Sequence, residues 1–161
     1  MKSSRFMLLP ACMFCLAGQA QPANDRCDGA AAMTLNVAYS QNTLLATSAG
    51  DPSNVCTGPF GKGVWYSMQP PQYGTVTISS CGSDFNTAIE VYSSAGGNCD
   101  TKVFRTCGDN VGPACDSDQA SVSFEGFPSV KYFIVVGGRG GIGREFEVGR
   151  DNGHSPERPV Q

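Results

Sequence analysis

Residues 74–80 read Gly74-Thr75-Val76-Thr77-Ile78-Ser79-Ser80, in which β-branched apolar residues alternate with hydroxyl residues. A period of two belongs to an extended strand, whose side chains point to opposite faces in turn. It sets Val76 and Ile78 on one face and Thr75, Thr77 and Ser79 on the other, so one face is buried and one is wet. Ser121-Val122-Ser123-Phe124-Glu125 and Glu145-Phe146-Glu147-Val148 repeat the pattern, and Val130 to Val136 is an apolar run of the kind buried on both faces. Further strands are expected at Leu35 to Tyr39, Thr43 to Thr47, Gly63 to Met68, Thr87 to Tyr92 and Lys102 to Thr106. About eight to nine short strands with turn signals every ~8–12 residues predict an all-β fold, an antiparallel β-sandwich or jelly roll. The one helical candidate is Cys27 to Met33, where three alanines give a turn or two.

Composition excludes the main alternatives. Of 161 residues, 20 are glycine and 10 proline, and 16% are charged against a usual ~25%. The chain is too apolar for disorder, its glycines are too irregular for collagen, and it is too poor in helix formers for a bundle. The length suits one domain with one core.

Lys2 and Arg5 precede an apolar run from Phe6 to Ala17, and Gly18-Gln19-Ala20 supplies small residues after it. This is the order of a secretory signal peptide over residues 1–20. A membrane anchor needs ~20 apolar residues, more than this run has, and no later segment approaches that. The expected product is secreted, extracellular or periplasmic, with its domain at 24–148 and a polar, flexible tail or linker at 149–161. Without Lys2 and Arg5, nine basic side chains face fourteen acidic ones, a formal charge of −5. Such a surface argues against a nucleic-acid partner, which needs a basic one.

Cys12 and Cys15 fall within the signal, leaving Cys27, Cys56, Cys81, Cys99, Cys107 and Cys115. An even set in an oxidising compartment predicts three disulfides stapling the sandwich. The gaps of 29, 25, 18, 8 and 8 residues lack the paired Cys-x-x-Cys spacing of zinc sites. Cys27 with Cys56 is the preferred pair, because both precede the densest strand region and the later cysteines cluster.

Catalytic chemistry is scarce. His154, the one histidine, lies in the tail, where nothing would hold a base against a nucleophile. Gly138-Arg139-Gly140-Gly141-Ile142-Gly143 matches G-x-G-x-x-G, but an alternating strand follows where a nucleotide site requires a helix. A glycine-rich hairpin loop accounts for it better. Glu90, Glu125, Glu145 and Glu147 on strands, with Asp84, Asp109, Asp116 and Asp118 in loops, are the carboxylates from which an acid–base pair would be drawn. Calcium needs six to eight oxygen ligands, and Asn24, Asp25, Asn86, Asp109 and Asn110 are the loop residues that would supply them. Trp65, Tyr66, Tyr73, Tyr92 and Tyr132 are candidates for a sugar-stacking platform. Trp65 and Tyr66 are adjacent on a strand, so one of the two is expected outside as a ligand contact.

The order of motifs is itself informative. Asn24-Asp25-Arg26-Cys27-Asp28-Gly29-Ala30 is followed by Val64-Trp65-Tyr66-Ser67, then by Ser80-Cys81-Gly82-Ser83-Asp84-Phe85-Asn86-Thr87 leading into Ile89-Glu90-Val91-Tyr92. Cys107-Gly108-Asp109-Asn110 and Tyr132-Phe133-Ile134-Val135-Val136-Gly137-Gly138 complete the series. Residues 24–148 thereby resemble the bacterial pre-peptidase C-terminal (PPC-like) domain family, cysteine-containing secreted β-sandwich modules. The resemblance implies a non-catalytic accessory domain of a secreted hydrolase, with roles in adhesion and calcium-assisted stabilisation. Phe85-Asn86-Thr87 stands where the family has Phe-Asp-Thr, and Gly108-Asp109-Asn110 where it has Asn-Asp-Asp. Each change replaces an anionic oxygen by a neutral one, which weakens a calcium site.

The expected function is a secreted, monomeric binding or accessory module that adheres to polysaccharide or protein, or supports an attached hydrolase. The alternatives are a secreted enzyme with a glycosidase-like carboxylate site and a purely structural exported domain.

Overall fold

The computed structural model describes residues 20–56 and 58–148. Residues 1–19 of the expected signal, the tail at 149–161 and His154 lie outside the described residues. The described chain is all-β. Its strands are β1 (Ala31–Ala32), β2 (Tyr39–Asn42), β3 (Asn54–Val55), β4 (Gly58–Met68), β5 (Gly74–Ser79), β6 (Thr87–Ser94), β7 (Lys102–Asp109), β8 (Ser121–Gly126), β9 (Lys131–Arg139) and β10 (Glu145–Val148).

The main sheet runs β1-β4-β9-β6-β7, with β3 paired to the start of β4. All its pairings are antiparallel except that of β1 with β4. β5 and β8 form a separate antiparallel ribbon in which Val76 faces Phe124 and Ile78 faces Val122. The ribbon's apolar side closes over one face of the main sheet. Val76, Ile78 and Val122 pack there with Val64, Tyr66, Ile89, Val91, Ile134 and Val136. The alternation in β5 therefore fulfils its reading: Val76 and Ile78 are buried, Thr75 is exposed and Thr77 half-buried, while Ser79 is buried where the ribbon meets the sheet. β10 pairs with β2 rather than with β9, so the glycine-rich segment after Arg139 is a crossing loop and not a hairpin. Gly140 and Gly141, at φ +68° and +74°, turn the chain in the left-handed region that glycine adopts without strain.

The other face of the main sheet is covered too. Trp65, Ala88, Phe133 and Val135 pack there with Phe60 and Cys99 beneath the segment holding Cys27 and Ala30. That segment is not the expected helix. One 3-10 turn spans Cys27–Gly29, and the chain then runs as β1 beside Tyr66 and Ser67 of β4. The backbone groups along the edge of β4 need partners, and this need overrides the helix propensity of three alanines. The strands expected at 35–39 and 43–47 reduce to β2, between them. Asn36, left-handed at φ 63°, turns the chain before β2, and after it the Asn42 side chain accepts from the Leu44 N–H at 2.9 Å in an Asx turn.

All six cysteines are paired, as Cys27–Cys99, Cys56–Cys107 and Cys81–Cys115. The expected Cys27–Cys56 bridge is absent, for a geometric reason. Cys56 stands at the start of β4, whereas Cys27 borders Ser67 and Phe133 near its end. Nine residues of extended chain separate Gly58 from Ser67, about 30 Å, far beyond the ~4.4–6.8 Å between the Cα atoms of a disulfide.

Candidate functional site

Neither Trp65 nor Tyr66 is a surface contact. Their exposures are 0% and 2%, because β4 is sandwiched on both sides. The Trp65 indole N–H donates to Asp51 Oδ1 at 3.3 Å, and burial pushes the Tyr66 hydroxyl pKa up to about 12. The expectation of one outward-facing member is thereby corrected.

The five candidate calcium ligands fall into two groups. Asn24 donates through Nδ2 to the Trp65 carbonyl at 3.0 Å, and Asp25 accepts from the Thr47 N–H at 2.5 Å, from the Thr47 hydroxyl at 2.6 Å and from Gln21. These bonds fasten the N-terminal segment and the loop after β2. Asn86, Asp109 and Asn110 meet at the far end of the sheet, where Asn86 precedes β6 and Asp109 ends β7. The row of β9 beside Trp65 is Val135, and the row at this end is Arg139, about 13 Å further along the strand. The two groups cannot share one ion.

The second group already has a cation. Arg139 Nη2 lies 2.6 Å from Asp109 Oδ2, with the side chains 23% and 9% exposed. The Asn86 carbonyl accepts from the Arg139 backbone N–H at 3.2 Å. Asn86 Oδ1, Asp109 Oδ1 and Asn110 Oδ1 are buried here without partners, and so is Arg139 Nη1. A calcium ion wants six to eight oxygens and a surplus of negative charge. Of the three candidate ligands here only Asp109 is a carboxylate, and it is already paired with a guanidinium; the described residues contain no group of three acidic, histidine or cysteine side chains suited to a metal. With Asp109 paired to Arg139, the charge these three residues offer a calcium ion is largely cancelled.

Among the carboxylates, Glu90 is buried on the face that carries Trp65, accepting from the Tyr92 hydroxyl at 2.7 Å. Asp51, which the sequence gives no reason to single out, accepts from the Gly63 N–H at 2.8 Å as well as from Trp65. Burial raises the pKa of both carboxyls, outweighing the hydrogen bonds that lower it. Lys102 Nζ lies 5.6 Å from the Trp65 and Tyr92 ring centres, closing this face from above.

The exposed chemistry lies elsewhere, at the open edge of the sandwich. β7 and β8 are close where Gly108 and Gly112 touch the Ser121 carbonyl, so close that a Cβ on either would overlap it. Away from that point the strands part, leaving a cleft of about 270 Å³ lined by Arg105, Phe124, Glu125, Phe127 and Tyr132. The Phe124 and Tyr132 rings lie in tilted contact, with centroids 4.8 Å apart. Phe127, 47% exposed, meets Tyr73, 61% exposed, at 5.1 Å. The Tyr132 hydroxyl accepts from the Phe127 N–H and donates to the Glu125 carbonyl, both at 3.2 Å, locking the turn that carries the platform. Thr75 donates to Glu125 Oε1 at 3.0 Å, and a hydrogen bond to Glu125 holds the Tyr73 hydroxyl pKa above its usual value. Arg105 Nε donates to Ser93 Oγ at 2.6 Å. Among the described residues Arg105 and Glu125 form no ion pair with each other.

No protein-family model matches the chain, and no curated protein matches it. Among the described residues no helix is long and apolar enough to cross a membrane.

Proposed function

We propose that the chain is an exported, non-catalytic binding module whose ligand site is the cleft between β7 and β8. The observation that carries this reading is the Tyr73–Phe127 pair, two large rings both left to solvent beside Arg105 and Glu125, whereas every other ring pair described has at least one ring buried or half-buried. Exposed aromatic surface next to fixed polar groups marks recognition sites, and a rigid sandwich is a suitable carrier for them. Three disulfides agree with an oxidising compartment, as does the signal-like N-terminus. The PPC-like resemblance of residues 24–148 supports a module that adheres to polysaccharide or protein, or that serves an attached hydrolase. The test is retention of the purified protein on insoluble polysaccharides and on denatured protein, with and without Arg105→Ala. Saturable retention that the substitution reduces is expected; no retention on any matrix refutes the reading.

A carboxylate enzyme is the second reading, favoured by Asp51 and Glu90, whose pKa values are raised on one face of the sheet. Both are engaged by neighbours, and Trp65 and Lys102 cover that face, so the binding reading is the stronger. Glycoside turnover abolished by Glu90→Gln would reverse the order.

A further inference from the structure

We infer that the β7–β8 cleft takes a neutral polysaccharide chain, an inference that rests on the binding-module reading and names its ligand. The charges in the cleft come to zero, with Arg105 on one wall and Glu125 on the other. An anionic polymer would meet Glu125, a cationic one would meet Arg105, and a purely apolar segment would leave both desolvated without partners. A hydroxyl group donates to the carboxylate and accepts from the guanidinium, so a hydroxyl-rich neutral ligand satisfies both walls.

Both polar groups are held before any ligand arrives, Glu125 by Thr75 and Arg105 by Ser93. Their ordering is therefore not charged against binding. The exposed rings of Tyr73 and Phe127 offer electron-rich faces to the C–H surface of a sugar ring. At about 270 Å³ the cleft is slightly smaller than the ~300–1,000 Å³ that encloses a drug-sized molecule, which suits the side of a chain.

An extended polypeptide adding to the edge of β7 is the competing occupant, and the register disfavours it. Phe104 opposes Tyr92 and Thr106 opposes Val91, so Arg105 is the extra residue of a bulge. A bulge breaks the regular donor–acceptor spacing that strand addition requires and re-aims its side chain, here onto the wall of the cleft.

The experiment is calorimetric titration of the purified protein with neutral hexasaccharides (cellohexaose, xylohexaose, mannohexaose), an oligogalacturonate hexamer and an uncharged, unstructured peptide. At least one neutral sugar is expected to bind saturably. Joint replacement of the solvent-facing pair, Tyr73→Ala with Phe127→Ala, should weaken it by about tenfold or more at an unchanged melting temperature. Arg105→Gln provides a second readout in the same direction, its fold checked by the melting temperature. Binding of the peptide or the oligogalacturonate, but of no neutral sugar, overturns the sugar assignment and leaves the module reading standing. Neutral-sugar binding that survives the double replacement overturns the cleft, and binding of no probe removes both readings.

Discussion

Asp109 and Arg139 come from strands that are not neighbours, β7 and β9, and meet across the end of β6 in an ion pair of 2.6 Å. The guanidinium rests on Gly58, where any Cβ would overlap it. One side chain thus neutralises the oxygen-rich corner from within.

Removing that cation leaves Asp109 buried and uncompensated. Arg139→Met is expected to destabilise by about 3 kcal/mol, and Gly58→Ala to do so by displacing the guanidinium. Calcium at millimolar levels should leave the wild-type melting temperature unmoved, and chelator likewise, since a ligand stabilises only where it binds the folded state. A calcium-dependent rise in the wild type would refute the internal-cation account.

The two faces of β5 should respond differently to charge. Ile78→Asp places an unpaired carboxylate between ribbon and sheet and should cost more than about 4 kcal/mol. Thr77→Asp loses a hydroxyl contact with Ser123 at the surface and should cost about 1 kcal/mol. Chemical denaturation of the two variants checks the ranking, and a reversed order would refute the register.

Disulfide mapping of the unreduced protein should recover peptides linking Cys27 to Cys99, Cys56 to Cys107 and Cys81 to Cys115, with no alkylatable thiol. Replacing Cys27 and Cys99 together, which opens the longest loop, should cost about 4 kcal/mol on the chain-entropy account. A peptide joining Cys27 to Cys56 would contradict the fold of the N-terminal segment.

Glu90 predicts a pH dependence with a definite sign. Its carboxyl pKa in the folded protein lies above the ordinary ~4.3 of an unfolded chain. The folded state therefore binds the proton more tightly, and the stability this confers is complete below the unfolded value and lost as pH rises through the folded one. Glu90→Gln should flatten that decline relative to wild type across pH ~4 to 7. Parallel stability–pH curves for the two proteins would show the carboxyl to be unperturbed.

The strands were legible wherever one chemical pattern decided them. β5 and β8 alternate and form within a residue of expectation, while β9, a continuous apolar run, extends three residues beyond its expected end to Arg139. Trp65 and Tyr66 were misread because alternation reports two faces but not what covers them. The cover on the Trp65 side comes from Cys27 and Ala30, far back in the chain. The disulfide pairing was hidden for the same reason, since chain order says nothing about which end of β4 each cysteine reaches. Tyr73 was visible as an aromatic candidate. Phe127 was not, although Gly126 and Pro128 on either side marked a turn with nothing to bury it. Asp51 carried no signal, because its role depends on the Trp65 indole.

The strand order has a consequence for how the chain reaches this state. β9 lies between β4 and β6, so the central pairings of the main sheet do not exist until residues 131–139 have joined. A chain delivered N-terminus first through a narrow pore cannot assemble that sheet early, because its middle strand is among the last to emerge. Such topology delays folding by making the decisive contacts distant in sequence. In such a chain β4 and β6 would wait for their shared partner until residues 131–139 were free, whereas the β6–β7 hairpin could pair before them.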